Sequence, residues 1–595
     1  MFGMHILFNK HKTRFLGRLS MYKRNVFIIL LCLGFAAKAQ MGSAQISEDS
    51  VFPKEIPKLV TNSDLLLCGE RLNYKIYNLM QSGQTSSLSK ISYVSLRTDN
   101  DSVIFNHKLR LENGQAQGTF FIPTSIKTGV YRLLGHTNFS LNNLENAVVH
   151  RKLYIINSYV KSTTSNNKDS TRTIELLSYN DAILDLNQQS PPYGLLIRTD
   201  KPSYKKRDRI SLNIENPNGK FAFGNYVLSV RRIDPVDFSH TSGKDENMVI
   251  EKRNDFFIPE LRGELISGRV VTSANKEAVA NKVVAFSIPG KNYVFKSVKT
   301  DDTGHFYISI DEPYETRKCI IQIDEPDRER YEIILDNKEL PLKAKGRLVD
   351  LKLDPSLKEW LQERSIQTQI ENAYFTQDKE GVESGSGNPF YGDLGTAFIL
   401  DDYTRFNSLE ETFVEVVTLA RIRNKEGKRA FQVFDPFSPQ NSGPFNSLDP
   451  LLLMDGILVK DASEILAYSA KDIGIIRVFP KTYRYGPKIY RGIIDFSTKE
   501  ENFTPRLDGA YIQAFELIRP LPEKINMFPD HSDDTYKRLP DYRTQLNWDP
   551  NIELLSIEMT HILYASDVSG TFMVTLEGFT KNGEHVEVHK RFKVE

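Results

Sequence analysis

From residue 65 to about residue 154, apolar and polar positions alternate with a period of two. Leu72, Tyr74 and Ile76 interleave with Asn73 and Lys75, the pattern of a half-buried strand, because successive side chains leave a strand on opposite faces. Turn-forming residues punctuate the run at Asp99-Asn100-Asp101, Asn113-Gly114 and Thr128-Gly129. Short strands at this spacing predict an antiparallel sandwich, bounded at 40–160. The alternation resumes beyond a Ser/Asn-rich stretch (162–172) with Ile210, Leu212 and Ile214, predicting a second sandwich over 190–262. A third, over 263–345, is read from 267–271, 281–286 and the turn before Phe306. A last one, over 503–595, is read from 546–548, 557–559 and 570–576, with a hairpin signal at Asn582-Gly583.

Two regions break the period of two. In 346–388, a helix is predicted over 355–374, where Leu357, Trp360, Leu361, Ile366, Ile370 and Tyr374 fall near one helical face. The Gly/Ser-rich linker 383–388 follows it. Residues 389–502 read as a small α+β unit. Ser408 and Glu411 have capping-box spacing, Asp455-Gly456 predicts a two-residue hairpin, and the apolar run Ile473 to Val478 predicts a buried strand. The fold class is mainly β: a multidomain array of β-sandwiches with one small α+β domain.

The N-terminus changes the picture of where the chain works. Lys23 and Arg24 precede the apolar run 26–35 and then Ala37-Lys38-Ala39, the order of a secretory signal peptide over 1–39, starting from Met1 or Met21. The run is shorter than the roughly 20 apolar residues of a membrane-spanning helix, so no span is expected in the mature chain. Large Leu30-Leu31 before Cys32 argues against lipid attachment. Of 77 basic and 76 acidic residues, seven basic and no acidic ones lie in 1–39, which leaves 70 against 76, a mature charge of −6. A nucleic-acid binder would show a basic excess instead. Cys68 and Cys319, the two cysteines left, are too few for a disulfide scaffold and read as buried apolar residues.

Three stretches carry resemblances. Thr199-Asp200-Lys201-Pro202-Ser203-Tyr204, leading into the strand at 210–214, resembles the opening of macroglobulin-type domains, although Lys206-Arg207-Asp208 stands where that family has proline and glycine. Gly69-Glu70, Gly114 and Gly129-Val130-Tyr131 resemble the same family more loosely. Cys68-Gly69-Glu70 is similar to a thioester motif, but Arg71 replaces the glutamine that supplies the acyl carbon, so no thioester is expected. The third sandwich, with Asp301, Gly304 and Phe306 at its turn, resembles a carboxypeptidase-regulatory-type domain, a module without peptidase chemistry. Residues 449–459, 463–466, 472–478, 485–486 and 492–499 are similar, in order, to the plug of TonB-dependent outer-membrane receptors of Bacteroidetes type. The 96 residues after Lys499 cannot build the barrel of some twenty strands that such a receptor needs. The resemblance therefore implies Ig-like or macroglobulin-like sandwiches around a plug-like domain without its own barrel.

No zinc-protease, nucleophile-elbow, phosphate-loop or paired-cysteine motif occurs, and the acidic runs lack calcium-loop spacing. No enzyme activity, cofactor or metal is expected. The sequence reading is a non-enzymatic accessory subunit at the periplasmic, inner face of the outer membrane. Its plug-like domain would dock on a β-barrel protein: a receptor, a secretion pore or an assembly machine. The alternative is a stand-alone macroglobulin-like binding protein for a protease or a polysaccharide. Tyr483, Arg484, Tyr485, Tyr490 and Arg491 read either as a partner-contact surface, because tyrosine and arginine dominate interface hot spots, or as a solvated loop.

Overall fold

Strand pairing in the computed structural model gathers most of the described strands into four modules, and two of them are interrupted by others. The residues described are 52–98, 100–143, 145–160, 172–178, 194–217, 219–237, 256–337, 340, 349–374, 378–380, 389–435, 447–522, 524–526 and 528–595. The segments read from sequence as a signal peptide (1–39) and a linker (383–388) lie outside them, as does all but the last residue of the Ser/Asn-rich stretch. Residues 54–595 cluster as one compact unit.

In the first sandwich, Glu55–Thr61, Arg71–Met80 and Gln115–Phe121 form a three-stranded sheet. It faces a five-stranded sheet ordered Leu65–Leu67, Val149–Ile156, Gly129–His136, Ile91–Thr98, Val103–Arg110. Leu72, Tyr74 and Ile76 pack inward against Val94, Leu96 and Leu133, as the alternation predicts. Their polar neighbours Asn73 and Lys75 are buried as well, because another module covers the outer face. The predicted Asn113-Gly114 turn forms with both residues at positive φ, +49° and +75°, and Glu112 and Gln115 exchange backbone bonds across it at 2.9 and 3.0 Å.

The second sandwich is split. Arg209–Glu215 lies between Leu196–Thr199 and Glu558–Tyr564, while Asn225–Arg232 lies between Gly570–Phe579 and Gln545–Ile552. His585–Val594 and Ser203–Tyr204 complete the larger sheet. The stretches read as separate sandwiches over 190–262 and 503–595 are thus halves of one, with a common core of Ile210, Leu212, Val230, Leu546, Val574 and Leu576. Period-two alternation reports that a strand has one buried face, not which strands lie beside it, and each half alone leaves an apolar face open.

A third sandwich is nested inside the second. Its sheets are His305–Ile310, Glu264–Thr272, Tyr331–Leu335 and, opposite, Val294–Lys299, Val283–Ile288, Lys318–Ile323, Ile512–Glu516. Its last strand arrives from beyond the α+β module, which is nested in turn. There the mixed sheet runs Thr396–Ile399, Ile473–Phe479, Ile493–Thr498, Leu451–Met454, Ile457–Leu458. Ser408 and Glu411 form the reciprocal capping box of the helix Leu409–Glu415. Asp455-Gly456 is the two-residue turn, with φ of +50° and +82°. One apolar core runs through both nested modules, from Phe286 and Ile321 to Ile476 and Phe496.

The helix Lys358–Tyr374 forms where predicted, and Leu357, Trp360 and Leu361 at its start pack on the core as predicted, but its middle turns bury a different face. Arg364, Ser365, Gln367 and Thr368 face the protein, while Ile366 and Tyr374 are 58% and 53% exposed. Charge, not apolar contact, anchors its middle turns. Arg364 Nε and Nη2 donate to the Glu70 carboxylate at 2.7 and 2.8 Å, and Nη1 lies 2.7 Å from Asp234.

Candidate functional site

Three modules meet around an open cavity of about 590 Å³. The first sandwich contributes the Asn113-Gly114 turn region, with Arg110, Glu112, Asn113, Gln115 and Lys75. The split sandwich contributes Asn225, Asn551 and Glu553, and the nested sandwich contributes Pro313, Tyr314 and Glu315. The fourth wall is the strap Arg519 to Pro522, which runs along the sheet edge at Lys108. Leu521 N–H donates to Lys108 O at 2.7 Å, and the Leu521 side chain packs on the first sandwich's core.

Cross-module bonds hold these walls in place. Lys75, 1% exposed, donates from Nζ to Asn225 Oδ1, Pro550 O and Asn551 Oδ1. Lys108 pairs with Glu264 in a buried bond, and Tyr314 donates to the same carboxylate at 2.8 Å. Arg110 donates to the backbone oxygens of Asp311 and Glu312 at 3.0 and 2.8 Å. Gly83 and Gly583, both at positive φ, bring two turns into backbone contact. A Cβ on Gly83 would lie 1.9 Å from Asn582 O. No pattern in the sequence signalled this cavity, because its walls come from segments hundreds of positions apart.

The five residues proposed from sequence lie on a hairpin, Tyr483–Tyr485 with Lys488–Tyr490, and just past it. Tyr485 donates to Phe295 O and stacks on the Phe295 ring, with centroids 5.5 Å apart. Tyr490 is buried and donates to Asp324 Oδ2 at 3.1 Å. Tyr483 is half-buried and stacks edge-on against Phe479. Tyr485 and Tyr490 join the α+β module to the nested sandwich of the same chain. Arg491, half-buried, donates to Pro480 O at 3.4 Å, and Arg484 is exposed.

Two buried carboxylates show how differently the interfaces are built. Burial alone would raise Glu70, but Arg364 and Arg231 outweigh it and hold the carboxyl at about 2. Asp495 accepts from Tyr391 at 2.6 Å and Tyr293 at 2.8 Å. Burial dominates there, and those bonds offset it only in part, so its pKa rises to about 6.

The cysteines are inert by position. Burial, reinforced by Glu70, pushes the Cys68 thiol up to about 11, and burial pushes Cys319 to about 12. Glu70, the third residue of the thioester-like run, is held by Arg364 and Arg231. Among the described residues, one group, Glu577, His585 and Glu587, places three metal-capable atoms within 4.8 Å. Within that group His585 lies 3.2 Å from Glu577, and the Arg151 guanidinium lies 3.9 Å from the same carboxylate.

The macroglobulin-like opening is a structural clasp. Tyr204 OH donates to Asp200 Oδ1 at 2.6 Å, and the same oxygen accepts from Ser211 N–H at 2.9 Å. The departure at Arg207 also has a use. Arg207 takes φ of +65° and donates to Asp567 and to the backbone of Lys537 and Leu539, all in the chain's C-terminal part.

No family model matches the chain, and no curated protein matches it. Among solved structures, it aligns with Escherichia coli alpha-2-macroglobulin activated by porcine elastase at 8% identity, covering 91% of this chain and 44% of that one, with a TM-score of 0.21. Salmonella alpha-2-macroglobulin reacted with methylamine gives 8% identity, 92% and 40% coverage, and a TM-score of 0.21. The Escherichia coli adhesin FdeC gives 11% identity, 50% and 64% coverage, and a TM-score of 0.13. The chain spans less than half the length of these macroglobulins. Superpositions this loose assign neither activity nor partner. The mainly-β, multidomain sandwich architecture stands on the chain's own strand pairing.

Proposed function

We propose that this protein is a non-enzymatic binding protein whose ligand site is the cleft between the first, split and nested sandwiches. The observation that carries this reading is the cleft itself: its walls come from three modules, and buried cross-module bonds from Lys75, Lys108 and Tyr314 fix their spacing. A site held by such bonds is pre-organised, so binding loses little to ordering its walls. This matches the stand-alone binding protein weighed from sequence better than the barrel-docking subunit, because Tyr485 and Tyr490 already serve an intramolecular contact.

A second reading keeps the α+β module as a plug-like dock for an outer-membrane barrel, with the chain exported to the periplasm. Exposed Arg484 and Ile489 on the outer side of the hairpin support it. The two readings separate in a cross-linked pull-down of tagged full chain from cell envelopes, comparing Glu553→Trp in the cleft with Arg484→Glu on the hairpin. Loss of the captured partner with Glu553→Trp alone supports the cleft. Loss with Arg484→Glu alone overturns it in favour of the dock.

A further inference from the structure

Resting on the cleft as the binding site, we infer that its ligand is an extended segment of a partner polypeptide, laid along the strand Gln115–Phe121. The first support is the shape of the depression. A small hollow lined by Gly118, Thr119 and Trp548 shares Gln117, Leu521 and Pro522 with the main cleft. The two together follow the strand from Gln115 to Thr119, just past the Asn113-Gly114 turn. At about 3.3 Å per residue that is roughly 13 Å, the length of an extended tetrapeptide.

The second support is the chemistry of the walls. Asn225 and Asn551 each turn their oxygen to Lys75 Nζ, which leaves their NH2 groups as donors. Gln115 Oε1 is buried and has no hydrogen-bond partner. The Asn donors match the C=O groups of a peptide main chain, and Gln115 Oε1 would accept a peptide N–H once its side chain turns from its buried position toward the cleft. An unsatisfied buried acceptor costs free energy until a donor reaches it. The ionic groups are mixed, with Arg110 and Arg519 against Glu112, Glu315 and Glu553, which disfavours a polyanion.

The third support is an internal example of the same binding mode. The strap around Pro520 lies parallel to the edge strand at Lys108, held by the Leu521 N–H bond and the Leu521 side chain. Main-chain pairing at a sheet edge with one side chain in a pocket is how extended peptides add to sheets. The strand Gln115–Phe121 pairs within its sheet only with Arg71–Met80, so it is likewise an outer strand. A glycan is the weaker fit, since sugar rings are gripped by exposed aromatic faces. Tyr314, the aromatic residue of the main cleft, is buried with its hydroxyl bonded to Glu264.

The test uses the full chain and two labelled probes in fluorescence anisotropy: carboxymethylated, unfolded α-lactalbumin, and maltoheptaose. The inference expects saturable binding of the unfolded polypeptide, weakened at least fivefold by Glu553→Trp and, separately, by Gln115→Arg. Glu553 is exposed, so Glu553→Trp should melt as the wild type does and report the cleft alone. Polypeptide binding unchanged in both variants overturns the inference. Maltoheptaose binding that Glu553→Trp abolishes, without polypeptide binding, overturns the ligand class but keeps the cleft as the site. Binding of neither probe, with partner capture insensitive to Glu553→Trp, overturns both.

Discussion

The interface of the first sandwich with the helix Lys358–Tyr374 and the split sandwich sets a buried charge network among apolar contacts such as Tyr77 on Phe579. The interface of the nested sandwich with the α+β module rests on a continuous apolar core, tyrosines and glycine turns, with one buried aspartate, Asp324, paired to Lys460 and Lys488. At the first, Glu70 sits between Arg364 and Arg231. At the second, Asp495 meets Tyr293 and Tyr391, while Gly456 lies against the Tyr293 ring so closely that a Cβ would come within 2.2 Å of it. A paired buried charge fixes geometry but is fragile to loss of one partner, whereas an aromatic and backbone seam degrades gradually. The cleft lies on the side of the molecule where charge sets the spacing, at Lys75, Lys108 and Glu264.

The most damaging break should be Arg364→Met, which leaves Glu70 and Asp234 without their shared cation. Removing one partner of a buried pair costs about 3–5 kcal/mol, measurable by urea unfolding. A loss below about 1 kcal/mol would show that the charged interface is not what holds the helix. Next in size is Gly83→Ala. Its Cβ would lie 1.9 Å from Asn582 O, where backbone meets backbone and neither side can rotate away. With the strained positive φ, about 2–4 kcal/mol should be lost. Gly456→Ala should cost a similar amount, because its Cβ would lie 2.2 and 2.3 Å from Cγ and Cβ at the root of the Tyr293 side chain, whose hydroxyl is bonded to Asp495.

The two carboxylates should give opposite pH slopes. Glu70 has a folded pKa of about 2 against an ordinary 4.5. Its contribution is full above pH 4.5 and is lost as pH falls toward 2. Asp495 has a folded pKa of about 6 against an ordinary 3.8. The folded state therefore holds the extra proton, and stability falls as pH rises from about 4 to about 6, by at most about 3 kcal/mol. Asp495→Asn should flatten that segment and leave the acid limb untouched, as read from unfolding midpoints across pH. The smallest effect is expected from Tyr485→Phe, which keeps the ring stacked on Phe295 and removes one hydrogen bond. It should cost about 1 kcal/mol, with the cleft unaffected in probe binding.

Much of the local structure was legible. The capping box at Ser408 and Glu411, the two-residue turns at Asn113-Gly114 and Asp455-Gly456, and the Asp301 turn, whose carboxylate accepts from the Thr303 and His305 N–H groups, all follow from side-chain chemistry within a few residues. The cleft was not legible, and the helix shows why. Its apolar positions hold for Leu357, Trp360 and Leu361, but in the following turns the buried face is the one carrying Arg364, because Glu70 and Asp234 wait there from two other modules. Ile366 and Tyr374 are left outside.

Local patterning was enough to say which segments are strands, where they turn, and that sandwiches dominate, since alternation and turn residues act over distances of a few residues. Long-range packing settled that the strands at 196–232 and 545–594 are one sandwich, that the nested sandwich takes its last strand from 512–516, and that a cleft opens where three modules meet. Strand partners are chosen by whichever complementary edge and apolar face the folded chain brings near. That choice depends on contacts across hundreds of residues, which no local pattern records.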